Sequence, residues 1–448
     1  MQTNFTPEQL ADPNIAESNK ILRKCVHCGF CTATCPTFQI LGDELDSPRG
    51  RIYLIKDMLE NERPATEKVV KHLDRCLSCL ACMTTCPSGV HYMHLIDNAR
   101  AYIEKTYDRP WHDKLIRNFL AAVLPYPARF RFLLRFAAIG RLFTGILKAI
   151  PGMQRLAAMT ELAPARVPPA GPATRPGTFP PQGERRGRVA LLTGCAQPVL
   201  NPDINEATIR LLNRHGIEVV LPEGEGCCGS LVHHMGREHT SHHQARLNVD
   251  AWTREVQGEG LDAILITASG CGTTIKDYGY MLRDDPAYRD KAAVVSDLAK
   301  DITEYLMSLD LGEPVIPAGF RVAYHSACSM QHGQKITLQP KMLLKKAGFD
   351  VCDVPNGHLC CGSAGVYNIM QPDIAKELLR RKVETIHSTE PELIATGNIG
   401  CMTQIATAAS VPIVHTAQLL DWAYGGQKPR ELAGLASPRQ RPAFAAAE

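Results

Sequence analysis

Eight of the 17 cysteines in this 448-residue chain fall into two copies of one spacing. Cys25, Cys28, Cys31 and Cys35 are followed by Pro36, and Cys76, Cys79, Cys82 and Cys86 by Pro87, so each run reads C-x2-C-x2-C-x3-C-P. Three thiolates spaced by three wrap a short loop around one face of a metal–sulfur cubane. A fourth sulfur must complete the cage, and in two-cluster domains built from such runs it comes from the other run. The spacing therefore assigns one [4Fe–4S] cluster to Cys25, Cys28, Cys31 and Cys86, and a second to Cys76, Cys79, Cys82 and Cys35. A zinc ribbon would present two separated pairs instead. Two adjacent clusters imply that electrons pass through the chain.

Eight more cysteines belong to an internal repeat. Its first copy carries Cys195, the pair Cys227-Cys228 followed by Gly229, and Cys271; its second carries Cys328, Cys360-Cys361 followed by Gly362, and Cys401. Each outer cysteine precedes its pair by 32 residues. Neighbouring side chains in a strand point apart, so an adjacent pair can face one site only in a tight turn, which the glycine permits. Four converging soft thiols suit an iron–sulfur cluster or zinc; a redox-active thiol pair is a further reading, and inert core cysteines a bland one. Cys352 has no counterpart, since Val220 takes its place, and reads as an ordinary buried cysteine. His233, His234, His239, His242 and His243 lack a second copy and read as a solvated loop and helix start.

These residues need elements to hold them. Residues 1–110 read as a mainly helical two-cluster domain, with helices at 50–60 and 64–75 between and before the cysteine runs. Residues 111–162 form a basic segment, with eight Lys and Arg against the lone Asp113 in 112–160. Within it Phe132, Phe136, Ile139, Phe143, Ile146 and Ile150 recur at helical spacing, with Arg131, Arg135, Arg141 and Lys148 on the other side. Such a stripe reads first as packing on the protein's own core or a partner subunit. The second reading is a helix lying on an anionic membrane surface. No nucleic-acid recognition motif accompanies the charge. Residues 163–187 hold seven prolines from 164 onward and read as an extended linker, neither helix nor sheet. Repeat 1 spans 188–312 and repeat 2 spans 313–426, each alternating short apolar β runs with helical patterns, the signature of α/β units around a mostly parallel sheet. Residues 427–448 read as a disordered tail. The expected fold class is thus α+β and multidomain.

Composition narrows the function classes. With 45% hydrophobic and 21% charged residues the chain is ordinary for a globular protein. MQTNFTPEQLADPN has neither the basic nor the apolar region of an export signal, which predicts a cytoplasmic protein with thiols free to ligate metal. No flavin, nicotinamide or Walker fingerprint is present, and no nucleophile–base pair, so substrate oxidation is expected on another polypeptide and no residue here is assigned as catalytic.

CVHCGFCTATCPT, LGDELDSPRGRIYLIK, HLDRCLSCLACMTTCPSGV, GCAQP, GCCGS, TASGCG, HLCCGSAG and NIGC together resemble the iron–sulfur subunits of bacterial glycolate oxidase, from about residue 20 to 425. The repeats resemble the cysteine-rich "CCG" domains shared with heterodisulfide reductase, lactate-utilisation proteins and an anaerobic glycerol-3-phosphate dehydrogenase subunit. The resemblance implies a complex with two FAD-binding subunits that oxidise glycolate to glyoxylate. Electrons would then pass through this chain to a membrane acceptor, a quinone, from a peripheral position on the cytoplasmic face of the inner membrane. The full CCG pattern ends in Cys-x-x-Cys, but Ala268 and Asn398 stand at the earlier position here, leaving cluster or zinc open for these sites. Competing functions are a related lactate or glycerol-3-phosphate dehydrogenase subunit, heterodisulfide-type disulfide chemistry, and a redox-sensing scaffold with structural metals.

Overall fold

The computed structural model describes residues 1–316, 319–435 and 437–438. In the N-terminal module the helices Pro13–Lys24, Pro48–Glu60, Glu67–Asp74 and Tyr92–Thr106 close around Ile21, Leu22, Ile55, Leu73, Leu95 and Ile96. Local chemistry starts each of the first three: Asp12, Ser47 and Thr66 cap their first turns with side-chain oxygens, and Pro13 and Pro48 stand where no amide donor is needed.

The repeats build two sheets. Strands β1 (Gly177–Phe179), β2 (Gly187–Leu191), β3 (Ile217–Leu221), β4 (Ala263–Ile266) and β5 (Ala299–Asp301) form the first, in the order β1-β3-β2-β4-β5. β6 (Arg321–Tyr324), β7 (Asp350–Asp353), β8 (Leu393–Thr396) and β9 (Ile413–His415) form the second, in the order β7-β6-β8-β9. All pairings are parallel except β1 with β3. The central strands are buried at almost every position because helices cover both faces. A single core joins the sheets, with Val189, Leu191 and Leu265 from one and Val322, Tyr324 and Val414 from the other. The repeats therefore bury each other.

Three sequence expectations change. The proline-rich stretch is not free of structure: Gly177–Phe179 pairs antiparallel with β3, and Ala173 is buried in the shared core. Proline bars a central strand, but an edge strand needs donors on one side only, and Gly177-Thr-Phe179 supplies them. Residues 428–432 are not a disordered tail, since Leu432 is fully buried and Lys428 sits over the Trp422 ring; residues 439–448 lie outside those described. The basic face is partly tied back to the body, while Arg135, Arg141 and Lys148 stay exposed. Arg117 and Arg155 bind Asp113, Arg131 donates to the Pro168 and Pro198 carbonyls, Arg141 donates to Ala163, and Lys148 pairs with Glu161. These long side chains fold back onto backbone carbonyls and acids of the body. The apolar stripe faces outward: Phe132, Phe136, Ile139, Phe143, Ile146 and Ile150 are 43–59% exposed, along helices Pro127–Leu142 and Thr144–Ala149, which break at Phe143.

Candidate iron–sulfur centres

Both N-terminal cysteine runs fold as the same loop. His27 and Gly29 in the first have positive φ, and so do Ser78 and Leu80 at the matching positions of the second. These left-handed residues curl the chain so that successive sulfurs turn inward. A short helix follows, and the fourth cysteine then stands extended, with φ −83° at Cys35 and −78° at Cys86. Leu80 occupies the place of Gly29, a conformation costing an L-residue roughly 1–2 kcal/mol. Its buried side chain packs towards Gly333 of repeat 2.

The loops enclose two cavities. Cys25, Cys28, Cys31 and Cys86 line the first, which is partly open to solvent. Cys35, Cys76 and Cys79 line the second, and Cys82 borders both. Each cavity thus combines three sulfurs from one run with the last of the other. Burial pushes the Cys31 thiol up to about 11, and Cys25, Cys79 and Cys82 upward as well. Thiols so placed stay protonated at neutral pH unless a bound cation displaces the protons. Soft donors converging on cavities of this kind fit an iron–sulfur cluster.

The sequence reading misses the groups around the second cavity. Arg51 is 1% exposed, and its guanidinium reaches the Cys35 sulfur at 3.8 Å, Thr37 Oγ1 at 3.0 Å and Asp46 Oδ1 at 3.3 Å. Burial works against its charge, yet the acidic groups of Cys76, Tyr92, Cys35 and Asp46 hold its pKa above the ordinary value. Thr37 Oγ1 lies 3.3 Å from the Cys35 sulfur, and the Tyr92 hydroxyl donates to Cys76 at 3.9 Å. Asp46 also binds Arg75 at 2.8 Å. Hydrogen bonds and charge beside cluster sulfurs tune reduction potential. The signal was the stretch Asp46-Ser-Pro-Arg-Gly-Arg51, legible as a helix start but not as a wall of the cavity.

The repeat cysteines also converge. In repeat 1, Cys195, Cys227, Cys228 and Cys271 are successive neighbours; hydrogen bonding to Cys227 raises the Cys195 thiol, while donation by Cys195 and Cys228 lowers that of Cys227. In repeat 2 the series is Cys328, Cys360, Cys361 and Cys401, with 3.8 Å between the first two sulfurs. Gly229 and Gly362 make the pair turns at φ 86° and 89°. A Cβ on Gly362 would stand 2.6 Å from the Ala375 carbonyl oxygen, and one on Gly229 would meet Ser241 at 2.9 Å. Cys352 lies half-buried in β7, outside these groups. Of the histidines, His239 and His243 are exposed, but His233 and His234 face Asp97 at 3.4 and 3.5 Å, joining repeat 1 to the N-terminal module. That correction follows from the buried Asp97 carboxylate, which needs partners.

Repeat 2 adjoins the second cavity. Leu77, Cys79 and Ala81 share an apolar cluster with Cys360, Tyr367 and Cys328. The Tyr367 hydroxyl donates to the Arg75 carbonyl at 2.9 Å, and Thr84 bonds His332 at 2.8 Å.

Fold and site together define an iron–sulfur protein with a helical module holding two cysteine-lined cavities, followed by paired cysteine-rich domains. Residues 21–90 match the 4Fe-4S dicluster domain, and residues 189–276 and 322–406 match the cysteine-rich domain. The chain is 43% identical to the glycolate oxidase iron–sulfur subunit of Escherichia coli K12, over 94% of this chain and 99% of that protein. It is 30% identical to a probable glycolate oxidase iron–sulfur subunit of Bacillus subtilis, over 89% and 93% respectively. Lactate utilization protein A of B. subtilis is 24% identical over 52% of this chain. A crystal structure of a hypothetical protein from Helicobacter pylori shares the fold, with a TM-score of 0.54 at 10% identity, over 94% of this chain and 74% of that one. The chain belongs to the family of glycolate oxidase iron–sulfur subunits.

Proposed function

We propose that this chain is the electron-transfer subunit of a flavin-dependent glycolate dehydrogenase. Two FAD-binding partner subunits would take two electrons and two protons from glycolate, leaving glyoxylate. The observation that carries the reading is the pair of adjoining cavities, each lined by cysteines of both runs, in a chain 43% identical to a glycolate oxidase iron–sulfur subunit. Cys25, Cys28, Cys31 and Cys86 would hold one [4Fe–4S] cluster, and Cys76, Cys79, Cys82 and Cys35 the other. Such clusters, when bound, accept and release one electron at a time. The chain's own residues set the route. Cys28 is exposed, with Val26 at 67% and Phe30 at 61% beside it, which suits the first cavity to exchange with a partner. Arg51 donates to the sulfur of Cys35 and favours added negative charge at the second. Repeat 2, packed against Cys79, offers a third station.

The final acceptor in this reading is a quinone reached at the cytoplasmic face of the inner membrane. No helix among the described residues is long and apolar enough to cross a bilayer. The outward stripe from Phe132 to Ile150 would instead lie on its surface. Heterodisulfide-type chemistry is less well supported, since Asn398 donates its amide to Cys401 at 3.3 Å where that pattern has another thiol.

The test mixes anaerobic, cluster-loaded chain with its flavin subunits. Glycolate should bleach the clusters within a turnover, while lactate and glycerol 3-phosphate should act slowly or not at all. The chain alone should show no glycolate oxidation. Full cluster reduction by lactate, with none by glycolate, would replace the substrate; no reduction by any of the three would end the relay reading.

A further inference from the structure

The two cysteine-rich sites are built differently, and one buried side chain makes the difference. His325 directly follows β6, three residues before Cys328. Its amide donates to the Ala395 carbonyl at 2.8 Å, which fixes the backbone at the end of the sheet. The residue is 2% exposed, and neither Nδ1 nor Nε2 has a hydrogen-bond partner. A buried imidazole with both nitrogens unmet is costly to keep. One of those nitrogens, the Cys361 sulfur and the Cys401 sulfur all lie within 4.8 Å of one another.

The repeat supplies its own control. Three residues before Cys195 stands Leu192, 3% exposed and packed in an apolar cluster that includes Cys228. The same place in the fold is thus apolar in repeat 1 and a nitrogen donor in repeat 2. A second exchange follows. Gly229 approaches Ser241 and Gly362 approaches Ala375. Seven residues beyond each lie Asn248 and Lys382, on helices Glu238–Gln257 and Pro372–His387. Asn248 bonds the Cys227 carbonyl at 3.2 Å and the Tyr278 hydroxyl at 3.1 Å. Lys382 is 3% exposed, and its ammonium donates to the Asn356 carbonyl at 3.1 Å.

We propose that His325 is a metal ligand of the repeat 2 site, giving a mixed imidazole–thiolate centre with Cys361 and Cys401, whereas repeat 1 offers thiolates alone. Neutral imidazole suits zinc and iron equally, so the site takes a borderline transition metal, as a lone ion or within a cluster. Where the metal is iron, replacing a thiolate by imidazole raises the reduction potential. The inference rests on the reading that the cysteine-rich repeats hold metal, but not on glycolate as substrate.

The test uses the full chain, prepared anaerobically and supplied with iron, sulfide and zinc in separate arms. Anomalous diffraction at the iron and zinc edges should place a metal bonded to a His325 nitrogen and to Cys361 and Cys401. His325→Leu, which installs the residue of repeat 1, should lose the metal of repeat 2 and keep the two N-terminal clusters, counted by elemental analysis. Metal held by the repeat 2 cysteines with His325 unbonded would overturn the proposal and leave the metal reading of the repeats standing. No metal in either repeat would overturn both. Should the leucine variant fail to fold, diffraction from the wild-type chain decides alone.

Discussion

Cys35 carries the sharpest residue-scale consequence. It sits ten residues from Cys25 in sequence, yet it shares a cavity with Cys76 and Cys79. Cys35→Ser should therefore remove most of the cluster held by the second run and spare the one beside its own run, read by EPR on the reduced protein. Selective loss of the sequence-local cluster would reject crossed ligation. Arg51 should make that second site sensitive to substitution. Its guanidinium is shared among a sulfur, a hydroxyl and a carboxylate, and removing one partner of such a buried set typically costs about 3–5 kcal/mol.

At the scale of elements, helix Tyr92–Thr106 is tied to repeat 1 through Asp97 and His233. Burial opposes the charge of both, but each holds the other ionised: the Asp97 carboxyl lies well below its usual range and His233 is raised above 6.5. The histidine's share of stability is present below about pH 6.5 and is lost as pH rises through the raised value. The carboxylate's share is present above about pH 4 and is lost as acid reaches the depressed value. Thermal unfolding should thus show a falling melting temperature from near neutral pH upward that Asp97→Asn flattens. A profile identical in the variant would mean the contact contributes nothing. The Gly236 backbone, against the Arg100 carbonyl at a distance no Cβ could share, shows how closely these elements meet.

For the whole molecule, the open question is what covers the stripe on helices Pro127–Leu142 and Thr144–Ala149. On the membrane reading the stripe would insert, while the exposed Arg135, Arg141 and Lys148 would stay near the headgroups. Phe132→Ser with Phe136→Ser and Ile139→Ser should release the complex from vesicles, since each fully buried large side chain is worth about 1.5–3 kcal/mol. Cluster content should stay unchanged. A variant complex that stays on vesicles but loses its flavin subunits would make the stripe a subunit interface.

The sequence by itself determined which cysteines group together and that the cysteine-rich unit repeats. Cysteine spacing, Cys-Pro and Cys-Cys-Gly are local patterns whose geometry is written into a few consecutive residues, and helices such as Pro48–Glu60 announce themselves by cap and period. Apolar strands β2, β4, β6 and β8 were legible for the same reason. Tertiary structure alone decided which groups face those donors. Arg51 and His325 look like a surface helix arginine and a strand-end histidine until the chain folds back and buries each beside sulfur. Part of the proline-rich stretch became an edge strand, and Arg131 bonded the Pro168 and Pro198 carbonyls, because pairing and burial depend on partners far away in sequence. Spacing fixes which atoms can bind; only packing fixes the charge and hydrogen bonds around them.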